Sequence, residues 1–301
     1  MGRSGQRLRV HNPQPVALTI AGSDCGGNAG IQADLRAFHG FGVHGCTAIA
    51  ALTAQNPTGV AGILPATSDF LRLQLQTIFD GYYVGAIKTG MLLNAELIEV
   101  VAEVLARHKG IPLVVDPVMV ASSGARLLED AAVEALTRRL LPLASLITPN
   151  LPEAAVLLGR PVAGGAAAGE AARELAALFR CAVLVKGGHG SFSNQASDFL
   201  CVGEGQLACL RTPVVRHPLS LHGTGCTLSA AITAALATGC SLADAVAEGK
   251  SYVYEAIRHG RTLGPQAAVL GMVNRRDRRR VLSAVIHPPP PRQRKRPHKA
   301  P

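Results

Sequence analysis

Short apolar runs that stop abruptly at a polar residue or a glycine recur between helical patterns along most of this chain. VALTIAG (16–22), GCTAIAALTAQN (45–56), AIKTGM (86–91), IPLVVDPVM (111–119), SLITPN (145–150) and CAVLVKGG (181–188) are such runs. Continuous apolar runs of this length, bounded by turn residues, suit strands buried on both faces. Helical spacing fills the gaps: IQADLRAFHGF, DFLRLQLQTIFD (69–80), NAELIEVVAEVLARH (94–108), a segment near 129–141, PEAAVLLG and EAARELAALFR (170–180). Residues 197–215 alternate as a β-hairpin does, and two helices are predicted at 224–238 and about 241–259. The alternation predicts an α/β fold with a mostly parallel central sheet and helices on both faces. Ligands of such sheets bind beyond the carboxyl ends of the strands. Gly22, Gln55, Lys88, Asp116, Asn150 and Lys186 stand at those ends and become the candidate list.

The net charge of +10 looks at first like a nucleic-acid signal. Most of it lies in two tails. Residues 274–301 carry ten Lys/Arg against one Asp, and residues 1–9 add three Arg, which leaves the core near −2. The chain therefore divides into a flexible N-terminal segment (1–14), one α/β domain (15–273) and a basic, Pro-rich tail (274–301) expected to be disordered. Weak contact of the tail with nucleic acid is allowed by its charge but not expected. No window offers 18 consecutive apolar residues and no signal-peptide pattern opens the chain, so neither a membrane span nor secretion is expected. The seven cysteines are scattered and form no C-x-x-C, which fits a cytoplasmic protein without disulfides or a structural zinc site.

The loop GSDCGGNAG after the first strand is not a dinucleotide fingerprint, because Cys25 stands where G-x-G-x-x-G needs glycine. It suits a backbone that approaches a small ligand closely. Asn150 and Glu153 stand three apart across a strand-to-helix turn. They can form a helix cap, or they can serve hydrated Mg2+, which takes few protein ligands beside phosphates. Asp116 ends a buried strand, where a carboxylate needs a partner or a cation; a turn-forming Asp-Pro is the plainer alternative. Lys186 reads as an anion ligand, or as a surface lysine. HGTG followed by CTLSAAITAALATG (226–239) is a glycine turn feeding a helix N-terminus. Free N–H groups and the helix dipole make that an anion hole. A thiol there, Cys226, should have its pKa lowered, unless it is only packing.

Taken in order, ALTIAGSD with AGIQADL, ALTAQN, IKTGML, VVDPVM with SSG, LITPNLPEA, VLVKGGH and HGTGCTLSAAI resemble the hydroxymethylpyrimidine/phosphomethylpyrimidine kinases of thiamine biosynthesis, within the ribokinase-like superfamily. The match runs over about residues 16–260. The resemblance implies a ribokinase-like fold, ATP and Mg2+ as cofactors, an aminopyrimidine substrate and a homodimer. It implies that Cys226 takes or relays the substrate hydroxyl proton, while Gly223, Thr224 and Gly225 cradle the transferring phosphoryl group. It implies a substrate pocket of Gln55, Gly22, Asp34, Met91 and Val118. Asn150 and Glu153 would place Mg2+ and phosphate, Asp116 would support the metal, and Lys186 the ATP phosphates. The first loop differs from the family pattern at Asn28, where a glycine is usual.

Three other readings are open at this stage. Related kinases accept pyridoxal-type alcohols. A cysteine hydrolase would pair Cys226 with His222 or His189, but explains neither Asn-x-x-Glu nor Lys186. A non-catalytic, ligand-binding relative would keep the fold and lose turnover.

Overall fold

The computed structural model describes residues 14–119, 128–187, 194–203, 205–217, 221–264, 267–274 and 283–287. Its strands are β1 (Val16–Asp24), β2 (His44–Asn56), β3 (Gly59–Pro65), β4 (Ala86–Thr89), β5 (Leu113–Val115), β6 (Leu146–Ile147), β7 (Ala182–Lys186), β8 (Gln195–Val202), β9 (Gln206–Pro213), β10 (Arg261–Gly264), β11 (Ala267–Val269) and β12 (Ser283–His287). Its helices are α1 (Gly30–Gly40), α2 (Ser68–Gly81), α3 (Ala95–Leu105), α4 (Asp130–Ala135), α5 (Leu151–Leu158), α6 (Ala166–Phe179), α7 (Thr224–Ala237) and α8 (Leu242–Arg258).

Ten strands form one sheet in the order β12-β9-β8-β7-β6-β5-β4-β1-β2-β3. The centre, from β2 through β7, is parallel. Antiparallel strands finish both sides: β3 on β2, and β8, β9 and β12 beyond β7. Two apolar layers cover the sheet. One seats Leu71 and Leu75 of α2, Leu97 and Val101 of α3 and Leu175 of α6. The other seats Phe38 of α1, the alanines of α7, and Val246 and Tyr252 of α8. Ala230, Ala231, Ala234 and Ala235 are all fully buried, so α7 lies sandwiched between the sheet and its neighbours. Gly249 of α8 clears space for Ile232 of α7, where a Cβ would come within 2.6 Å.

The predicted helices and central strands form, with shorter strands than the apolar runs suggest. Pro112 and Pro117 flank the three residues of β5, and Pro149 follows β6. Proline lacks the N–H a ladder needs, which trims both strands. The helix expected near 129–141 is α4 followed by a π-turn (136–140) and a 3-10 turn (141–143) that includes Pro142. Strand β3 was not expected: all seven of its residues are exposed, so no burial pattern marks it. Residues 283–287 correct the expectation of a disordered tail in part, because they pair with β9 from Ser283↔Arg211 to His287↔Leu207. Residues 1–13, 275–282 and 288–301 lie outside the described residues. No helix among the described residues is long and apolar enough to cross a membrane.

Candidate active site

The carboxyl ends of the parallel strands gather the charged side chains. The first loop, after β1, folds around Asp24, whose carboxylate accepts the backbone N–H groups of Gly26 (2.8 Å), Asn28 (2.9 Å) and Ala29 (2.8 Å). Asn28 has an ordinary negative φ, so replacing the usual glycine costs no strain there. Cys25 sits on the outside of the loop and joins it to β2: its thiol bonds the carbonyl of Gln55 at 3.2 Å and accepts the Gln55 N–H at 3.3 Å. Gly22 faces Met91, and a Cβ would come within 2.6 Å of the Met91 methyl. Val118, just past Asp116, takes a φ of 43°, a strained conformation for a β-branched side chain. Such strain concentrates at functional sites.

Helix α7 opens at Gly223, which has φ 84° and offers no side-chain cap. Its first-turn N–H groups are thus left for an anion. The same glycine abuts the first loop, because a Cβ there would run into the Asn28 carbonyl. The loop and the helix N-terminus therefore form one wall. Gly225 keeps the approach to Lys186 and Asp116 open; a Cβ there would stand 3.3 Å from the Lys186 ammonium and 3.8 Å from an Asp116 oxygen.

Asp116 is 3% exposed and paired. Lys186 Nζ lies 2.9 Å from its Oδ1, and the Ser229 hydroxyl donates to its Oδ2 at 3.2 Å. The Asp-Pro turn alone does not account for it. Lys186 is held in place by its own N–H, which donates to the Pro149 carbonyl at 2.8 Å. Burial opposes its charge, but Asp116 and Glu153 more than offset that and raise its pKa.

Asn150 and Glu153 make the capping box on α5. Asn150 Oδ1 accepts the Glu153 N–H and Glu153 Oε2 accepts the Asn150 N–H, each at 2.8 Å. Glu153 is 2% exposed, and its Oε1 also accepts the Met119 N–H at 3.3 Å. Burial pushes its pKa up, against the pull of Lys186. Capping and metal placement are not exclusive, since a carboxylate keeps further lone pairs. Asp116, Glu153 and Lys186 bring two carboxylates and one ammonium into a single buried cluster. That donor set fits Mg2+, which takes one or two carboxylates together with phosphates. No group of three or more His, Cys, Asp or Glu forms a cage among the described residues.

Cys226 lies in the first turn of α7, half-buried, and accepts a hydrogen bond from the Gly30 N–H. The expected lowering of its pKa is reversed. Burial raises it and outweighs the attraction of Lys88. Among the described residues no imidazole bonds to Cys226; His189 lies outside them. Sequence reasoning placed Lys88 at a strand end but gave it no role. It is fully buried and chelates both oxygens of Asp34 at 2.8 Å, while Thr19 donates to Asp34 Oδ2 at 2.6 Å. Asp34, expected in the substrate pocket, is itself fully buried and faces this lysine. Only the pairing of β1 with β4, in the register Thr19↔Lys88, reveals the group. Asp198 and Lys250 were likewise missed. Lys250 bonds Asp198 at 2.6 Å, and Asp198 accepts the N–H of Gly187 at 3.1 Å, which fixes the turn after Lys186.

A family model described as phosphomethylpyrimidine kinase matches residues 24–271. This chain belongs to that family. It is 45% identical over 249 residues to the hydroxymethylpyrimidine/phosphomethylpyrimidine kinase of Haemophilus influenzae, covering 82% of this chain and 92% of the relative. The enzyme of that name from Escherichia coli is 44% identical, with the same coverage of 82% and 92%. Among solved structures, the ADP complex of Bacillus subtilis pyridoxal kinase superposes with a TM-score of 0.80 at 37% identity, over 86% of this chain and 98% of that one. The phosphomethylpyrimidine kinase of Clostridium difficile gives 0.72 at 38% identity, over 81% and 100%. The family's fold is thus the ribokinase-like α/β fold expected from the sequence.

Proposed function

We propose that this chain is an ATP-dependent hydroxymethylpyrimidine/phosphomethylpyrimidine kinase that makes the pyrimidine diphosphate of thiamine biosynthesis in two phosphoryl transfers. The observation that carries this reading is the convergence of the uncapped α7 N-terminus with Cys226 on one side and Lys186, Asp116 and Glu153 on the other. In the first transfer the substrate hydroxymethyl oxygen bonds to the γ-phosphorus of ATP, the bond to the β–γ bridging oxygen breaks, and ADP leaves. The hydroxyl proton passes to the thiolate form of Cys226, the form that burial disfavours. In the second transfer an oxygen of the monophosphate is the nucleophile and needs no base.

Phosphoryl transfer needs positioning and charge neutralisation more than covalent work. The N–H groups of Gly223, Thr224 and Gly225 face the transferring group, and Lys186 holds the ATP phosphates. Asn150, Asp116 and Glu153 would hold Mg2+, which supplies neutralisation of phosphate charge. Gln55, Gly22, Met91 and Val118 line the pyrimidine side, with Asp34 behind them. The seven thiols, all unpaired, support a reducing, cytoplasmic setting.

Pyridoxal is the second acceptor to weigh, because the fold match extends to pyridoxal kinases at 37% identity. Side-by-side turnover with hydroxymethylpyrimidine, its monophosphate and pyridoxal tests the reading. The two pyrimidines should be converted and pyridoxal slowly or not at all. Pyridoxal as the best acceptor would move the pathway, and no turnover with any acceptor would leave a binding protein.

The homodimer is supported by the far edge of the sheet. Leu52 and its cross-strand neighbour Leu64 are 50% and 66% exposed, and Phe70 of α2 is 58% exposed. Apolar surface of this kind on an edge strand invites pairing. Sedimentation velocity should give twice the chain mass, and Leu64→Lys should shift it to the monomer.

A further inference from the structure

We propose that Asp198 and Lys250 form a positioning pair that pins the backbone around Lys186 and thereby sets how tightly the chain holds ATP. The effect on ATP rests on the role proposed above for Lys186; the anchoring of the backbone does not.

Lys186 ends β7, and its main chain is held from both sides. On the β6 side its N–H donates to the Pro149 carbonyl at 2.8 Å, and it bridges Asn150. On the β8 side the next N–H, that of Gly187, donates to Asp198 Oδ1 at 3.1 Å. Asp198 stands directly across from Lys186 in the antiparallel pairing of β7 with β8. A continuing ladder would give the Gly187 N–H a main-chain carbonyl; here a side chain takes it. The chain is also pressed close at this point, since a Cβ on Gly187 would run into the Ser197 carbonyl. From this anchored backbone the Lys186 side chain reaches Asp116 at 2.9 Å. A shift of the Gly187 peptide would carry the ammonium with it.

Lys250 of α8 fixes Asp198 for this task. It bonds Oδ2 at 2.6 Å and leaves Oδ1 to Gly187. The two side chains are only 10% and 8% exposed. A buried carboxylate without a cation tends to take up a proton; the ammonium keeps it charged and turned. Apolar residues of similar volume generally stabilise a fold as well as a buried ion pair does, so stability alone does not account for the pair. Its place in the fold is specific. Gly249, the neighbour of Lys250, packs against Ile232 of α7. Helix α8 therefore supports both the helix of the anion hole and, through Lys250 and Asp198, the turn that carries Lys186.

Two double variants test this. Both remove the ion pair and leave no unpaired buried charge. Lys250→Met/Asp198→Asn keeps an oxygen for the Gly187 N–H, and Lys250→Met/Asp198→Leu does not. The readouts are hydrogen exchange at the Gly187 amide and calorimetric titration with ATP and Mg2+ without acceptor. The Asn variant should stay near the wild type in both. In the Leu variant Gly187 should exchange faster, and the Kd for ATP should rise about tenfold or more, the order seen when a group supporting a ligand is removed. Hydroxymethylpyrimidine should bind both variants as it binds the wild type. A pair that only stabilises the fold would leave the two variants alike, and that result overturns the proposal. Faster exchange in the Leu variant with unchanged ATP affinity overturns it too. If the Leu variant shows no cooperative thermal unfolding, Lys250→Met/Asp198→Val takes its place; failure of both to fold would make the pair a folding requirement and overturn the proposal. A wild type that takes up no ATP would remove the kinase reading and with it the effect on ATP, while exchange at Gly187 would still decide the anchor.

Discussion

Cys226→Ala should still bind hydroxymethylpyrimidine, while the first phosphoryl transfer slows by roughly 100- to 10,000-fold, the usual contribution of a positioned base. The mutation removes one sulfur from the first turn of a helix whose other residues stay packed. Leu228, Ala230 and Ala231 seat α7 against the sheet, and none of them depends on the thiol. The Gly30 N–H loses its acceptor, a modest cost at a half-buried site. The second transfer starts from an ionised phosphate that carries no hydroxyl proton at neutral pH. It should slow far less. Steady-state turnover with each acceptor, beside calorimetric binding of the pyrimidine, separates the two steps. Equal loss in both would make Cys226 a structural part of the anion hole, and no loss in either would remove it from the chemistry.

Gly223→Ala should lose both stability and turnover. The residue has φ 84°, a region that costs a residue with a Cβ about 1–2 kcal/mol. The new methyl would also press on the Asn28 carbonyl, with the carbonyl carbon at 2.9 Å and Ala29 Cα at 3.3 Å. Those atoms cannot yield easily, because Asp24 holds the N–H groups of both residues. Overpacking of this kind adds about 1–3 kcal/mol. A total loss of roughly 2–5 kcal/mol should lower Tm by about 4–20 °C, and the displaced helix N-terminus should raise KM for ATP. Gly225→Ala is the control. Its methyl meets the flexible end of Lys186 at 3.3 Å, not backbone, and its φ is ordinary. That variant should melt near the wild-type temperature and show its defect only in ATP kinetics. Equal melting of all three proteins would contradict the joined wall of loop and helix.

The residues at the strand ends were readable because burial and charge conflict there. A carboxylate or ammonium directly after four apolar residues calls for a partner; the plainer alternatives were an Asp-Pro turn and a surface lysine, and Asp116 and Lys186 turn out to be each other's partner. The Asn-x-x-Glu spacing was readable as a cap, and the capping box is present. Strand β3 was not readable, because exposure of all its residues removes the periodic signal. The direction of the Cys226 shift was not readable either. A helix N-terminus can be inferred from Gly-Thr-Gly, but the desolvation that outweighs it comes from elements far away in the chain.

By itself the sequence determined the order of the central strands and helices, the parallel centre of the sheet, and the strand ends at which the charged side chains gather. Those follow from hydrophobic period and from where each apolar run stops, which are local properties. Only the tertiary structure decided which charges face one another. Lys88 and Asp34 are 54 residues apart, Lys186 and Asp116 are 70 apart, and Lys250 and Asp198 are 52 apart. Each pair depends on the register of neighbouring strands or on a helix packed over them. A one-residue slip would turn Lys88 to the opposite face of the sheet, so the meeting of Lys88 with Asp34 is set by the pairing of β4 with β1.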